Sequence, residues 1–132
     1  MGTLMDASVL IAAERREFDL KGRLAEHGGE QFALSAVTAS EILHGLLRSS
    51  FAHRRHRQAY VEGLLSDYPV IPFDLAAARV HARIWSELAV RGITFGSHDL
   101  MIAATALAKG YRVATRDRRS FPKIPGLSLM VW

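Results

Sequence analysis

A chain of 132 residues is long enough to bury a core as one domain, and its 49% apolar and 23% charged content excludes a disordered or fibrous polymer. No apolar run approaches the ~20 residues of a membrane span, no basic-then-apolar leader opens the chain, and the absence of cysteine excludes a disulfide framework, so a cytoplasmic protein is expected. Seventeen Lys and Arg against 13 Asp and Glu, with a pI near 10.0, point to an anionic partner.

No Pro/Gly/Ser-rich linker divides residues 1–132, which read as one domain. Thr3 to Met5 is short and apolar, precedes Asp6, and is followed by Val9-Leu10-Ile11-Ala12-Ala13: strand, turn, helix. Phe18 to His27 reads as a short helix ended by Gly28-Gly29, and Gln31 to Leu34 as a strand stopped by Ser35. A helix from Ala36 to about Ser50 places Val37, Ile42, Leu43, Leu46 and Leu47 on one apolar face, and another follows from His53 to Tyr68. Tyr68 to Phe73 is a proline-bounded strand. Asp74 then caps a helix running to Arg91, and Ser97 caps one ending at Lys109-Gly110. Arg112 to Thr115 and Leu127 to Trp132 are the last strands. Apolar strands separated by helices predict an α/β fold with a mostly parallel sheet of about five strands, covered on both faces.

In such a sheet, sites form outside the carboxyl ends of the strands. Asp6 ends the first strand, Asp117 follows the fourth, Asp99 lies in the first turn of the helix leading into the fourth, and Glu41 follows the second. Each has a structural alternative. Asp6 can be only an N-cap, Asp99 only a first-turn acid and Asp117 only a turn residue. Glu41 fits the capping box Thr38-Ala39-Ser40-Glu41, although Ser35 is the better helix start and would set Glu41 inward beside Ile42. A shared purpose for all four is a hard divalent cation, Mg2+ or Mn2+, which prefers oxygen ligands and can activate water against a phosphodiester. The bases cluster at Arg15-Arg16, at Arg54-Arg55-His56-Arg57 and at Arg116-Asp117-Arg118-Arg119. Arg54, Arg55, Arg57, Arg116, Arg118 and Arg119 are the candidate phosphate contacts, against the alternative of solvated faces.

The blocks Leu4-Met5-Asp6-Ala7-Ser8-Val9-Leu10-Ile11, Thr38-Ala39-Ser40-Glu41-Ile42-Leu43-His44-Gly45, His98-Asp99-Leu100-Met101-Ile102-Ala103-Ala104-Thr105-Ala106 and Val113-Ala114-Thr115-Arg116-Asp117-Arg118-Arg119-Ser120-Phe121 together resemble PIN-domain ribonucleases, and most closely the VapC-like toxins of toxin-antitoxin pairs. The resemblance covers essentially the whole chain. It implies a PIN-like three-layer α/β/α sandwich, often homodimeric, that cuts RNA with Mg2+ or Mn2+, inhibits growth or translation, and is held in check by a small antitoxin. By matching position Asp6, Glu41, Asp99 and Asp117 are its acidic metal-site residues, and Ser8 its supporting small polar residue. Ala7 departs from the pattern, since relatives often carry Thr there, and the last acid varies within the family.

Rival readings are weaker on the residues. Glu41-Ile42-Leu43-His44 has the spacing of di-iron bundles but no second copy, and Ser8 stands where haloacid-dehalogenase phosphatases carry an acid. His53 and His56 sit among arginines that favour phosphate over metal, and Trp85 and Trp132 read as core or dimer-interface residues. A non-catalytic RNA-binding or docking module on the same fold would be expected to lack the acids, and all four are present.

Overall fold

The computed structural model describes residues 2–132. Elements run β1 (Gly2–Met5), α1 (Ala7–Glu14), α2 (Leu20–Glu26), β2 (Gln31–Ser35), α3 (Ala36–Leu47), α4 (Phe51–Asp67), β3 (Val70–Ile71), α5 (Leu75–Val90), α6 (Ser97–Lys109), β4 (Arg112–Thr115), a 3-10 turn (Phe121–Lys123) and β5 (Leu129–Val131). The five strands lie in the order β3-β2-β1-β4-β5 and every pairing is parallel. The mostly parallel sheet of the sequence reading is thus wholly parallel.

Strand alternation divides the interior. Leu4, Ala33 and Val113 share one face with Ile84 and Leu88 of α5 and Leu100, Ile102, Ala103 and Ala106 of α6. Met5, Leu34 and Ala114 share the other with Leu10 of α1, Ile42 and Leu46 of α3, and Val61 and Leu64 of α4. Two cores separated by one sheet are the three-layer sandwich, and the alanines of α6 let that helix lie against α5 and the sheet.

The chain moves outward from β1 through β2 to β3, then returns to β4 on the opposite side of β1. The β1/β4 boundary is therefore the topological switch point, where the strand ends open a crevice.

Several local expectations shift. The Asp74 carboxylate accepts the Ala77 N–H at 3.0 Å and the Ser35 hydroxyl accepts the Thr38 N–H at 3.0 Å, so both cap their helices as read. Ser97 does not cap α6: it is the first helical residue, Gly96 occupies the cap position, and no side chain accepts a backbone N–H there. The strand read over 68–73 pairs only at Val70–Ile71, because the flanking prolines supply no ladder donor. Leu47 is 69% exposed at the end of α3, and Trp85 is 62% exposed on α5 rather than in the core. Among the described residues no helix is long and apolar enough to cross a membrane.

Candidate metal-binding carboxylate site

Asp6 is only 6% exposed, directly after β1. Its Oδ1 accepts the Ser8 hydroxyl at 2.5 Å and the Val9 N–H at 3.3 Å, and its Oδ2 accepts the Thr115 hydroxyl at 2.6 Å. The residue caps α1 and does more than cap it. The backbone N–H of Arg116 donates to Ser8 Oγ at 3.0 Å and that of Asp117 to Thr115 Oγ1 at 2.9 Å. Each hydroxyl therefore donates to one Asp6 oxygen while accepting one N–H of the turn after β4. That double relay fixes the rotamer of Asp6 and the path of the turn together. Asp117 Oδ1 in turn accepts the Arg119 N–H at 2.8 Å, closing an Asx-type turn.

Burial pushes the Asp6 carboxyl up, against the lowering effect of the Ser8 and Thr115 hydroxyls. Burial also raises half-buried Asp99, with Asp6 and Asp117 adding to the rise and His98 opposing it. Glu41 is raised by burial, then by Asp99 and Asp6, while His98 opposes the rise. Asp99 thus feels the charges of Asp6 and Asp117, and Glu41 those of Asp99 and Asp6. His98 Nδ1 lies 3.9 Å from Glu41 Oε2.

Among the described residues no three Asp, Glu or His side chains are grouped closely enough to hold a metal ion by themselves. The donor chemistry nevertheless fits a hard cation. All the candidate ligands are carboxylate oxygens, a carboxylate has about four acceptor positions, and the protein occupies three on Asp6. An open, oxygen-only arrangement suits an ion that keeps several waters.

The arginines divide. Arg116 is exposed at the mouth and joined to Ser8 through its backbone, and Arg118 and Arg119 lie beside it. Arg54 instead donates from Nη2 to the carbonyls of Leu47 (2.9 Å) and Ser49 (3.3 Å) at the end of α3. Arg57 Nε meets Glu14 Oε2 at 3.3 Å, tying α4 to α1, and Arg55 is exposed. Two residues at the mouth escape the sequence reading of the site, Thr115 and His98. A lone hydroxyl ending the apolar run Val113-Ala114 was the available signal for the first, and adjacency to Asp99 for the second.

The PIN domain family model matches residues 3–127. Ribonuclease VapC1 of Rickettsia felis is 33% identical over 131 residues, covering 98% of this chain and 96% of that protein. A tRNA(fMet)-specific endonuclease VapC of Salmonella typhimurium is 34% identical over 122 residues, covering 87% and 90%. The structure of DNA-bound VapBC from Salmonella typhimurium superposes with a TM-score of 0.90 at 28% identity, over 100% of this chain and 98% of that one. A buried, hydroxyl-braced aspartate at the switch point of a β3-β2-β1-β4-β5 parallel sheet and these likenesses agree, and the chain belongs to the PIN-domain family and, within it, to the VapC ribonucleases.

Proposed function

We propose that this protein is a divalent-metal-dependent endoribonuclease that hydrolyses RNA phosphodiester bonds as the toxin of a toxin-antitoxin pair. The observation that carries the reading is Asp6, buried, braced by Ser8 and Thr115, and placed in one negative field with Asp99, Glu41 and Asp117. Family membership implies a divalent metal in general, and the oxygen-only donors suit the hard cations Mg2+ or Mn2+ proposed for it. Asp6 and Asp99 would hold the ion, with Glu41 and Asp117 completing its surroundings. When bound, such an ion supplies a nucleophile at neutral pH and offsets charge developing on the phosphate.

The chain's own residues do the positioning. Ser8 and Thr115 keep Asp6 in one orientation, and the same two hydroxyls hold the turn that carries Arg116, Arg118 and Arg119. Those three arginines offer phosphate contacts next to the acids, with Arg55 on α4 a more distant one.

A small antitoxin is the proposed protein partner, on the strength of the VapBC likeness. A homodimer is proposed as well, supported by the exposed Leu75, Trp85 and Val90 of α5, beside which Phe73, just before the helix, joins His81 and Trp85 in a chain of aromatic contacts at 5.6 Å. Residues 1–132 are proposed to act as one domain.

The deciding experiment is cleavage of a mixed structured and single-stranded RNA pool by wild type and Asp99→Asn, each with Mg2+, Mn2+ or EDTA. Wild type should cut only with metal and the variant should not cut, while both fold and bind RNA alike. Equal activity of the two proteins removes the assignment.

A further inference from the structure

Phe18 is not among the acids, hydroxyls or bases of the site, yet its ring sits where one of those bases, Arg116, points. The Arg116 guanidinium carbon lies 5.3 Å from the Phe18 ring centroid and that of Arg23 lies 5.9 Å from it, both within cation–π range. Arg23 has Glu26 at 3.7 Å, whereas Arg116, whose backbone N–H reaches Ser8 at the mouth, makes no ion pair among the described residues.

The ring is itself held. It stacks on Trp132 with centroids 5.6 Å apart and an interplanar angle of 23°, and Trp132 is backed by Phe32 at 5.8 Å and His27 at 6.2 Å. The backbone N–H of Trp132 donates to the Thr115 carbonyl at 2.9 Å, so the residue bearing the stacked indole and Arg116 are anchored to the same strand end. On its other side Phe18 is delivered by the turn closing α1, in which the Glu17 N–H returns to the Ala12 carbonyl (2.9 Å) and the Arg16 N–H to that of Ala13 (3.1 Å).

We infer that Phe18 is a positioning residue for RNA cleavage: its ring, clamped against Trp132, holds the Arg116 guanidinium at the carboxylate mouth to receive a backbone phosphate of the bound RNA. This inference rests on the nuclease reading above. An exposed arginine loses rotamer freedom whenever it grips a phosphate, and a guanidinium already lying against a fixed ring loses less. Phe18 thus acts through Arg116 on substrate affinity and leaves the carboxylate chemistry alone.

The test is steady-state cleavage by wild type, Phe18→Leu, Phe18→Tyr, Arg116→Ala and the double variant Phe18→Leu/Arg116→Ala, with RNA binding in EDTA followed against salt. Phe18→Leu should raise KM roughly two- to fivefold, the ratio a cation–π contact commands, with kcat unchanged, and Phe18→Tyr should restore wild-type values. The double variant should be no worse than Arg116→Ala, which by itself should reduce the salt slope by about 0.7, as for one single-strand phosphate. Arg116→Lys, on the surface and harmless to folding, provides the same test independently of Phe18. It keeps the charge, loses the stacking plane, and should show the KM rise alone.

Effects of Phe18→Leu and Arg116→Ala that multiply independently, a fall in kcat at constant KM, or Arg116→Lys equal to wild type would overturn the inference while leaving the nuclease standing. A wild-type protein that neither binds nor cuts RNA would overturn both.

Discussion

Thr115 shows how much one hydroxyl can carry. Its Oγ1 donates to Asp6 and accepts from Asp117, so Thr115→Val leaves a buried carboxylate oxygen and a backbone N–H short of a partner. Removing a hydrogen bond to a charged group typically costs about 2 kcal/mol, and supporting residues of metal sites about 10- to 100-fold in activity. Thr115→Val should therefore lower both the unfolding midpoint and the cleavage rate, and Thr115→Ser should recover most of the rate. The acids themselves act against stability. Asp6, Glu41 and Asp99 all have raised pKa values, so the folded protein binds more protons than the unfolded chain once pH exceeds the ordinary carboxylate range. Without divalent metal, stability should fall as pH rises from that range through the raised values and then level off. Asp99→Asn should flatten this fall and raise the neutral-pH melting temperature in EDTA. Thermal melts of the two proteins across pH check the sign, and added Mg2+ or Mn2+ should selectively stabilise wild type.

At the scale of single elements, α1 ends in an uncommon way. The paired returns of Arg16 and Glu17 form a Schellman motif, whose left-handed position usually belongs to glycine, but Arg16 occupies it at φ 59°. Left-handed backbone costs an L-residue about 1–2 kcal/mol, so Arg16→Gly should raise stability by about 1 kcal/mol in denaturant unfolding. The same turn delivers Phe18, and unchanged geometry in Arg16→Gly should leave the Phe18-dependent KM intact while any loss of RNA affinity reports the Arg16 charge. Helix α6 ends in the more familiar way, with Gly110 at φ 71°. At its start Gly96 takes the cap position expected of Ser97, because an N-cap is set by backbone dihedrals that residue preference alone does not fix. The mean face of α3 was legible for Val37, Ile42 and Leu46, whereas Leu47 lies beyond the arc that the sheet and α4 cover.

Across the whole molecule, charge is arranged against its own sum. Setting aside the four acids of the mouth leaves nine acidic residues against 17 basic ones, a positive surface around a negative crevice. Charge reversal across Arg54, Arg55 and Arg57 should weaken RNA binding and flatten its salt dependence. Since Arg54 caps α3 and Arg57 pairs with Glu14, Arg55→Glu is the cleaner version of that measurement. An unchanged salt slope would assign Arg55 to a solvated face.

The amino-acid order by itself determined that this chain alternates short apolar strands with helices, hence a parallel sheet, because strand cores free of polar alternation can be buried on both faces. It also placed Asp6, Asp99 and Asp117 near strand ends or helix starts, since those positions are one-dimensional facts. Only the tertiary structure decided that β1 lies beside β4, so that Thr115 reaches Asp6 across 109 residues and the turn after β4 closes over Ser8. It likewise decided that Phe18, Trp132 and Arg116 meet. Such contacts depend on strand order and on the twist and packing of whole layers, which no local spacing of residues encodes.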